Sequence, residues 1–278
     1  MAGRDGRIGL LAGSGTFPEV IAEAVKASGE ELVCIQVVGQ SEVLPAVADH
    51  YRRCDPGAVT EVIAILRQQR VREVLVAGRF SRANLFASGD SVHAALMNAT
   101  DRRDIPLLER FAALLAEMGI AIVDQARFVR DLLVPPGVLT ERAPTADEAA
   151  DIAFGRTVAR AIAELDVGQT VVVRRGVILA VEAAEGTDAT IRRGGAMVPE
   201  SIVVKVSRSN QDPRFDIPAV GLETIRAMRD VGARALAIDG RRTLLLQRDR
   251  VIAEAEAGGI AIEAADTPPL GTPIDARR

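Results

Sequence analysis

The chain is poor in the residues that stack, chelate and cross-link. Its 278 residues hold no tryptophan, one tyrosine, seven phenylalanines, two cysteines and two histidines. So few aromatics leave little from which to build the stacking platforms that bind single-stranded nucleic acids. A formal net charge of −4 gives no broad basic face, and nucleic acid is not expected as a partner. Cys34 and Cys54 make no Cys-x-x-Cys pair. With no secretory leader ahead of them they read as reduced, buried thiols of a cytoplasmic protein. His50 and His93 lie far apart and outside any metal-ligand spacing. That argues against zinc sites and histidine-rich dinuclear phosphoesterases, and weakens a Ser-His-Asp hydrolase reading. No apolar run approaches the ~18–20 residues of a membrane-spanning helix, so any contact with lipid is peripheral.

What the chain does have is core. Hydrophobic residues make up 48% of it, and its length suits two modest domains. The first half alternates strand and helix: strand Arg7–Gly13, helix Thr16–Ser28, strand Leu32–Val38, helix Val59–Gln69, strand Glu73–Ala77, helix Leu107–Met118 and strand Ile120–Val123. Short continuous apolar strands between helices predict a Rossmann-like parallel α/β sheet over residues 1–134. Val134–Pro144, with three prolines and a glycine, marks a boundary. A capping box at Thr145 and Glu148 opens the next helix. Residues 135–278 then read as a mixed α/β catalytic domain with a hairpin (Thr170–Arg174, Val177–Ala183). Strands at Ile202–Val206, Ala235–Ile238, Thr243–Leu246 and Ile260–Glu263 follow, with helices Glu223–Val231 and Arg248–Ala257. The proline-rich tail after Asp266 reads as loose.

Four places carry chemistry. Residues 176–195 run from an apolar strand, read as buried, into Glu182, Glu185, Gly186, Thr187, Asp188, Arg192 and Arg193. Carboxylates delivered to a glycine turn, with arginines one helical turn on, can hold a cation beside a phosphate. The same residues also suit a capped helix with a solvated charged face. Gly13-Ser14-Gly15 is half of a dinucleotide fingerprint. Pro18 replaces the third glycine, and the second strand ends Ile35-Gln36-Val37 without an acid for a ribose. A phosphate or sugar at that helix N-terminus, or a plain tight turn, both remain open. Gly78-Arg79-Phe80-Ser81-Arg82 follows the third strand and offers guanidiniums and a hydroxyl in the same crevice. Lys205 stands on the rim of an apolar strand, ahead of a polar loop containing Asp212 and Asp216. Magnesium, which takes a few oxygens plus water and substrate phosphate, suits such scattered carboxylates, although no spacing here is diagnostic of a metal.

Together these segments resemble one family, the UDP-2,3-diacylglucosamine pyrophosphatases of the LpxI type. The likeness is carried by Ile8 to Gly15 with Pro18, Ala77 to Arg82, Ile178 to Asp188 with Arg192-Arg193, and Asp216-Ile217-Pro218 leading to Gly221. It spans about Arg7 to Glu263; Ser207 to Arg214 matches no part of the pattern, and the role of Asp212 stays open. The resemblance implies magnesium-dependent hydrolysis of the UDP-2,3-diacylglucosamine diphosphate in lipid A synthesis, with substrate held between the two domains. It implies a cytoplasmic enzyme that touches the inner membrane peripherally through its lipid. Asp216, Asp188 and Lys205 would be catalytic, with Asp216, Glu185 and Asp188 around Mg2+. Gly13, Ser14, Gly15, Gly78, Ser81, Arg82, Thr187 and Arg192 would bind substrate. A homodimer is compatible with the sequence but is not fixed by it. The alternatives are a nicotinamide-dependent oxidoreductase and a non-catalytic binder of a nucleotide sugar or lipid.

Overall fold

A computed structural model describes residues 7–80, 89–98 and 104–274. It divides into two compact units. One runs to Arg130 and includes Pro213–Asp216; the other takes Asp131–Asp212 and resumes at Ile217.

The first unit is built on five strands: β1 Arg7–Ala12, β2 Glu31–Gln36, β3 His50–Arg53, β4 Glu73–Ala77 and β5 Ala121–Ile122. Their order is β3-β2-β1-β4-β5 and every pairing is parallel. Helices Phe17–Ala27, Val59–Gln68 and Asp104–Glu117 connect them, as the apolar spacing predicts. Five of the six residues in β1 and in β2 are buried, which is why they read as unbroken apolar runs. The strand order reverses direction between β1 and β4. In such sheets that switch point, at the carboxyl ends of the strands, is where ligands bind. Four described elements of this unit escape the sequence reading. The strand β3 has the sequence His-Tyr-Arg-Arg and is an edge strand with no buried residue, and the helices Leu44–Val47, Ser91–Met97 and Ala126–Val129 are only four, seven and four residues long.

The second unit holds a six-stranded sheet, ordered β6-β13-β11-β9-β7-β8. Its members are β6 Gly137–Val138, β7 Thr170–Arg174, β8 Val177–Val181, β9 Ile202–Lys205, β11 Ala235–Asp239 and β13 Ala261–Ala265. The central β9, β11 and β13 are parallel, whereas β7, β8 and β6 join antiparallel. A small parallel pair, β10 Ala219–Val220 with β12 Leu244–Leu245, lies outside it. Strand alternation divides the core into two faces. Val171, Val173, Ile202, Val204, Ala235 and Ala237 pack with Ile152 and Ala159 of the long helix Ala146–Glu164. Val172, Val203, Leu236 and Ile238 share the other cluster with Ile191, Ile225 and Val251. Those three lie on helices Thr187–Gly195, Leu222–Asp230 and Arg248–Ala257. The expected capping box forms: Thr145 Oγ1 accepts from the Glu148 amide, and Glu148 Oε2 accepts from the Thr145 amide.

Three expectations need correction. Strand β8 is not buried: it is the free edge of the sheet, with Val177 58% exposed. Lys205, read as standing on the rim of its strand, is buried, only 7% exposed. The segment after Asp266 is not loose. The fully buried Arg242 donates to the carbonyls of Pro268, Pro269 and Thr272, and the Thr267 hydroxyl donates to the Gly240 carbonyl. A guanidinium is well suited to such a strap, because its five donors have fixed directions.

Candidate active site

The helix Thr187–Gly195 begins at Gly186, which has a φ of +82° and supplies no side-chain cap. Its first amides and its dipole therefore favour an anion. Beside this end lies a buried polar cluster. Glu182, Thr187 and Lys205 are 8%, 8% and 7% exposed, and Thr170 is fully buried. Lys205 Nζ donates to Thr187 Oγ1 at 3.0 Å, and Thr187 Oγ1 donates to Glu182 Oε1 at 2.9 Å. Glu182 Oε2 accepts from the Gln169 amide at 3.3 Å. The backbone packs closely at this point, since a Cβ on Gly168 would come within 2.2 Å of the Glu182 carbonyl oxygen. Among the described residues Lys205 makes no other hydrogen bond and no ion pair. A buried ammonium with most of its donor capacity unspent is costly, because burial removes the water that would otherwise hold it.

The neighbouring carboxylates are engaged differently. Glu185, expected as a metal ligand, accepts from Arg193, from Thr190 Oγ1 at 3.2 Å and from the Ala183 amide at 3.2 Å. Its own backbone amide and the Arg193 guanidinium hold its carboxyl below the usual value. Asp188 accepts from Thr224 Oγ1 at 2.9 Å and is partly exposed. Arg192 is exposed and has no partner among the described residues. No group of three or more His, Cys, Asp or Glu is gathered for a metal among the described residues. Magnesium does not require such a cage when phosphate oxygens and water complete its shell. The donor set fits a cation that arrives with a phosphate ligand, not one caged by protein alone.

In the first unit, the loops after β1 and β4 clasp each other. The Ser14 amide donates to the Arg79 carbonyl at 3.0 Å, the Arg79 amide to the Ser14 carbonyl at 2.9 Å, and the Gly13 amide to the Ala77 carbonyl at 2.8 Å. This contact explains two glycines. A Cβ on Gly13 would lie 2.7 Å from the Arg79 carbonyl oxygen, and one on Gly78 would lie 2.7 Å from Pro18 Cγ, at a φ of +96°. The sequence suggests Gly13 and Gly15 as places where backbone approaches a ligand; in the fold, Gly13 and Gly78 let the two loops approach each other. Gly15 and Thr16 remain exposed at the start of the helix Phe17–Ala27. Ser81 and Arg82 lie outside the described residues. Gln36, where a dinucleotide fold carries its ribose acid, is 2% exposed and accepts from the Tyr51 hydroxyl at 2.6 Å. Burial pushes the thiols of Cys34 and Cys54 up to about 12 and about 11, so neither is a nucleophile near neutrality.

Asp216 belongs to the short segment Pro213–Asp216 that packs with the first unit. The Gln125 amide donates to the Pro213 carbonyl and Gln125 Nε2 donates to the Arg214 carbonyl, each at 3.2 Å. Phe215 is 6% exposed and shares a cluster with Leu11, Ile35, Val76 and Phe80, at or near the carboxyl ends of β1, β2 and β4. Phe215 thus anchors Asp216, a role that its place in a polar loop does not announce. Sequence reading also missed Asp239, the fully buried last residue of β11. It accepts from Arg156, twice from Arg160, and from the amide and hydroxyl of Ser207.

Comparison with known proteins gives one consistent family. Residues 7–132 match the LpxI N-terminal domain and residues 135–263 match the LpxI C-terminal domain. A UDP-2,3-diacylglucosamine pyrophosphatase LpxI from Caulobacter vibrioides is 31% identical over 277 residues, covering 94% of this chain and 98% of that protein. Among solved structures, the biotin carboxylase domain of a single-chain bacterial carboxylase matches 56% of this chain and 35% of its own. The identity is 17% and the TM-score 0.27. A UDP-N-acetylmuramate:L-alanyl-gamma-D-glutamyl-meso-diaminopimelate ligase from Neisseria meningitides covers 97% of this chain and 77% of its own at 10% identity, with a TM-score of 0.29. Likenesses that weak carry no argument about this chain.

Proposed function

The chain belongs to the LpxI family and is a hydrolase, and on that premise we propose that it splits the diphosphate of UDP-2,3-diacylglucosamine, giving UMP and 2,3-diacylglucosamine 1-phosphate for lipid A synthesis. The observation that carries this reading is Lys205: a buried ammonium with one hydrogen bond, beside a helix N-terminus without a side-chain cap. Both features favour a compact, multiply charged anion, and a diphosphate is one.

The obstacle to the reaction is charge. Phosphoryl transfer to water requires that the phosphate oxygens be neutralised and the nucleophile aligned, with little covalent help from protein. The water oxygen forms a bond to the α-phosphorus and gives up a proton to solvent, while the bond to the bridging oxygen breaks and that oxygen departs with the sugar phosphate. Lys205 donates to the diphosphate oxygens, and the first amides of the helix Thr187–Gly195 add partial positive charge. Asp216, partly exposed on a segment anchored by Phe215, orients the attacking water. Asp188 and Asp216 are the carboxylates that would hold magnesium, which would supply further neutralisation of the phosphate oxygens. Glu185, committed to Arg193, is left out of this set. Arg192 and the loops around Gly13–Gly15 and Gly78 contribute to holding the nucleotide sugar. No described helix is long and apolar enough to cross a membrane, and the reading places the enzyme peripherally, on the cytoplasmic face of the bilayer that holds its lipid.

Incubation with UDP-2,3-diacylglucosamine, with and without EDTA, tests the reading by release of UMP. The expected result is turnover that EDTA abolishes. Asp216→Ala is expected to lower kcat by at least about a hundredfold while substrate still binds. No UMP from the wild type with magnesium or manganese would leave a binding protein in place of an enzyme.

A further inference from the structure

The sequence suggests Thr187 as a residue that binds substrate, but hydrogen-bond accounting gives its side chain another task. A threonine hydroxyl has one proton and two lone pairs. The proton goes to Glu182 at 2.9 Å, because an ionised carboxylate can only accept. One lone pair receives Lys205 at 3.0 Å, since an ammonium can only donate. With its own proton committed, Thr187 can only accept from the Thr170 hydroxyl, 3.4 Å away. The hydroxyl is therefore saturated by protein. Glu182 is held from its other side by the Gln169 amide, so the direction of the Thr187 proton is fixed.

A second observation concerns residue choice. Lys26 and Lys205 are the only lysines in the chain; every other cationic side chain of this type is arginine. Lys26 lies at the surface, paired with Asp49 at 2.7 Å. At position 205 the chain keeps a compact point charge, whose three donors turn freely about one bond. Such a group must be aimed by its surroundings, whereas a guanidinium carries its own fixed fork.

We propose that Thr187 and Glu182 are positioning residues: Glu182 orders the Thr187 proton, and the Thr187 oxygen anchors the Lys205 ammonium so that its remaining donors meet a phosphate oxygen. This rests on the proposed diphosphatase reading and deepens it. Neither residue's side chain touches substrate; both act through Lys205.

The test is a double-mutant cycle on UMP release, joined to a readout that needs no turnover. Thr187→Val is expected to lower kcat about tenfold to a hundredfold with little change in KM, the range for losing a hydrogen bond to a charged group. Thr187→Ser, which keeps the hydroxyl, should stay within about threefold of the wild type. Because Thr187 acts only through Lys205, Thr187→Val should cost little more once Lys205→Ala is present. Losses that multiply would overturn the proposal, as would failure of Thr187→Ser to restore activity. If Thr187→Val does not fold, the same cycle is run with Glu182→Ala, which removes the acceptor of the Thr187 proton, and losses that multiply with those of Lys205→Ala would again overturn the proposal. With 13Cε-labelled lysine the protein gives two signals, from Lys26 and Lys205. The Lys205 signal should move in Thr187→Val, return in Thr187→Ser, and leave Lys26 still. An unmoved Lys205 signal would overturn the proposal. Absence of UMP from the wild type would overturn the diphosphatase reading alone, and the lysine signal would then decide the relay.

Discussion

Lys205 and Asp239 end neighbouring parallel strands of the second sheet, and the protein treats these two buried charges in opposite ways. Asp239 is surrounded: two arginines and both polar groups of Ser207 fill its oxygens. Lys205 is left with one partner, a hydroxyl. They point to different faces, Asp239 toward the long helix Ala146–Glu164 and Lys205 toward the start of the helix Thr187–Gly195. A saturated buried charge has its desolvation offset in the folded chain and belongs to the architecture. An under-used one has the offset still to come, from a ligand. The lesson is that burial of charge does not by itself mark a site. Counting donors against acceptors does.

That contrast can be broken most sharply at its structural end. Asp239→Ala leaves Arg156 and Arg160 without their carboxylate, and should cost about 3–5 kcal/mol in a urea unfolding experiment. A loss below about 1 kcal/mol would mean that the arginines find other partners and that saturation here is not structural.

Glu148 is a second saturated charge and sharpens the comparison through pH. Burial pushes its carboxyl up, but Arg142 and the Thr145 amide outweigh this and hold it below the usual 4.5. A lowered folded-state value means that its stabilisation is complete above the unfolded value and is lost as pH falls through the folded one. Glu148→Gln should therefore lower stability at neutral pH by about 1–3 kcal/mol. The gap to wild type should narrow as pH falls below about 4.5. A gap independent of pH would show that shape, not charge, is what the helix cap requires.

The smallest effect is expected where a charge is both saturated and exposed. Glu185→Gln loosens the Arg193 pair at the surface, worth about 0–1 kcal/mol, and should change kcat/KM by less than about threefold. A large loss of activity would return Glu185 to the metal site.

The fold was largely legible, because apolar periodicity marks any element with a buried face. The five-strand parallel sheet shows this except at β3, whose half-exposed His-Tyr-Arg-Arg carries no apolar signal. The site was legible in its parts and not in their relations. Sequence distinguishes neither a buried lysine from a rim lysine nor a free glutamate from one tied to Arg193, since both depend on partners far along the chain. The clasp between the loops of Gly13 and Gly78 was not legible, because it joins residues about 65 positions apart. Arg242 and the proline-rich tail failed for the same reason: one long-range guanidinium turns a segment of loose composition into a held strap.

The most direct test of Lys205 is Lys205→Ala, measured in one preparation for UMP release and for urea unfolding. The expected result is a fall in kcat of about a hundredfold or more with an unfolding midpoint at or above that of the wild type, because removing a buried and poorly paired charge relieves the fold. Near-normal turnover, or a loss of activity that tracks a loss of stability, would contradict it and make Lys205 one more structural charge like Asp239.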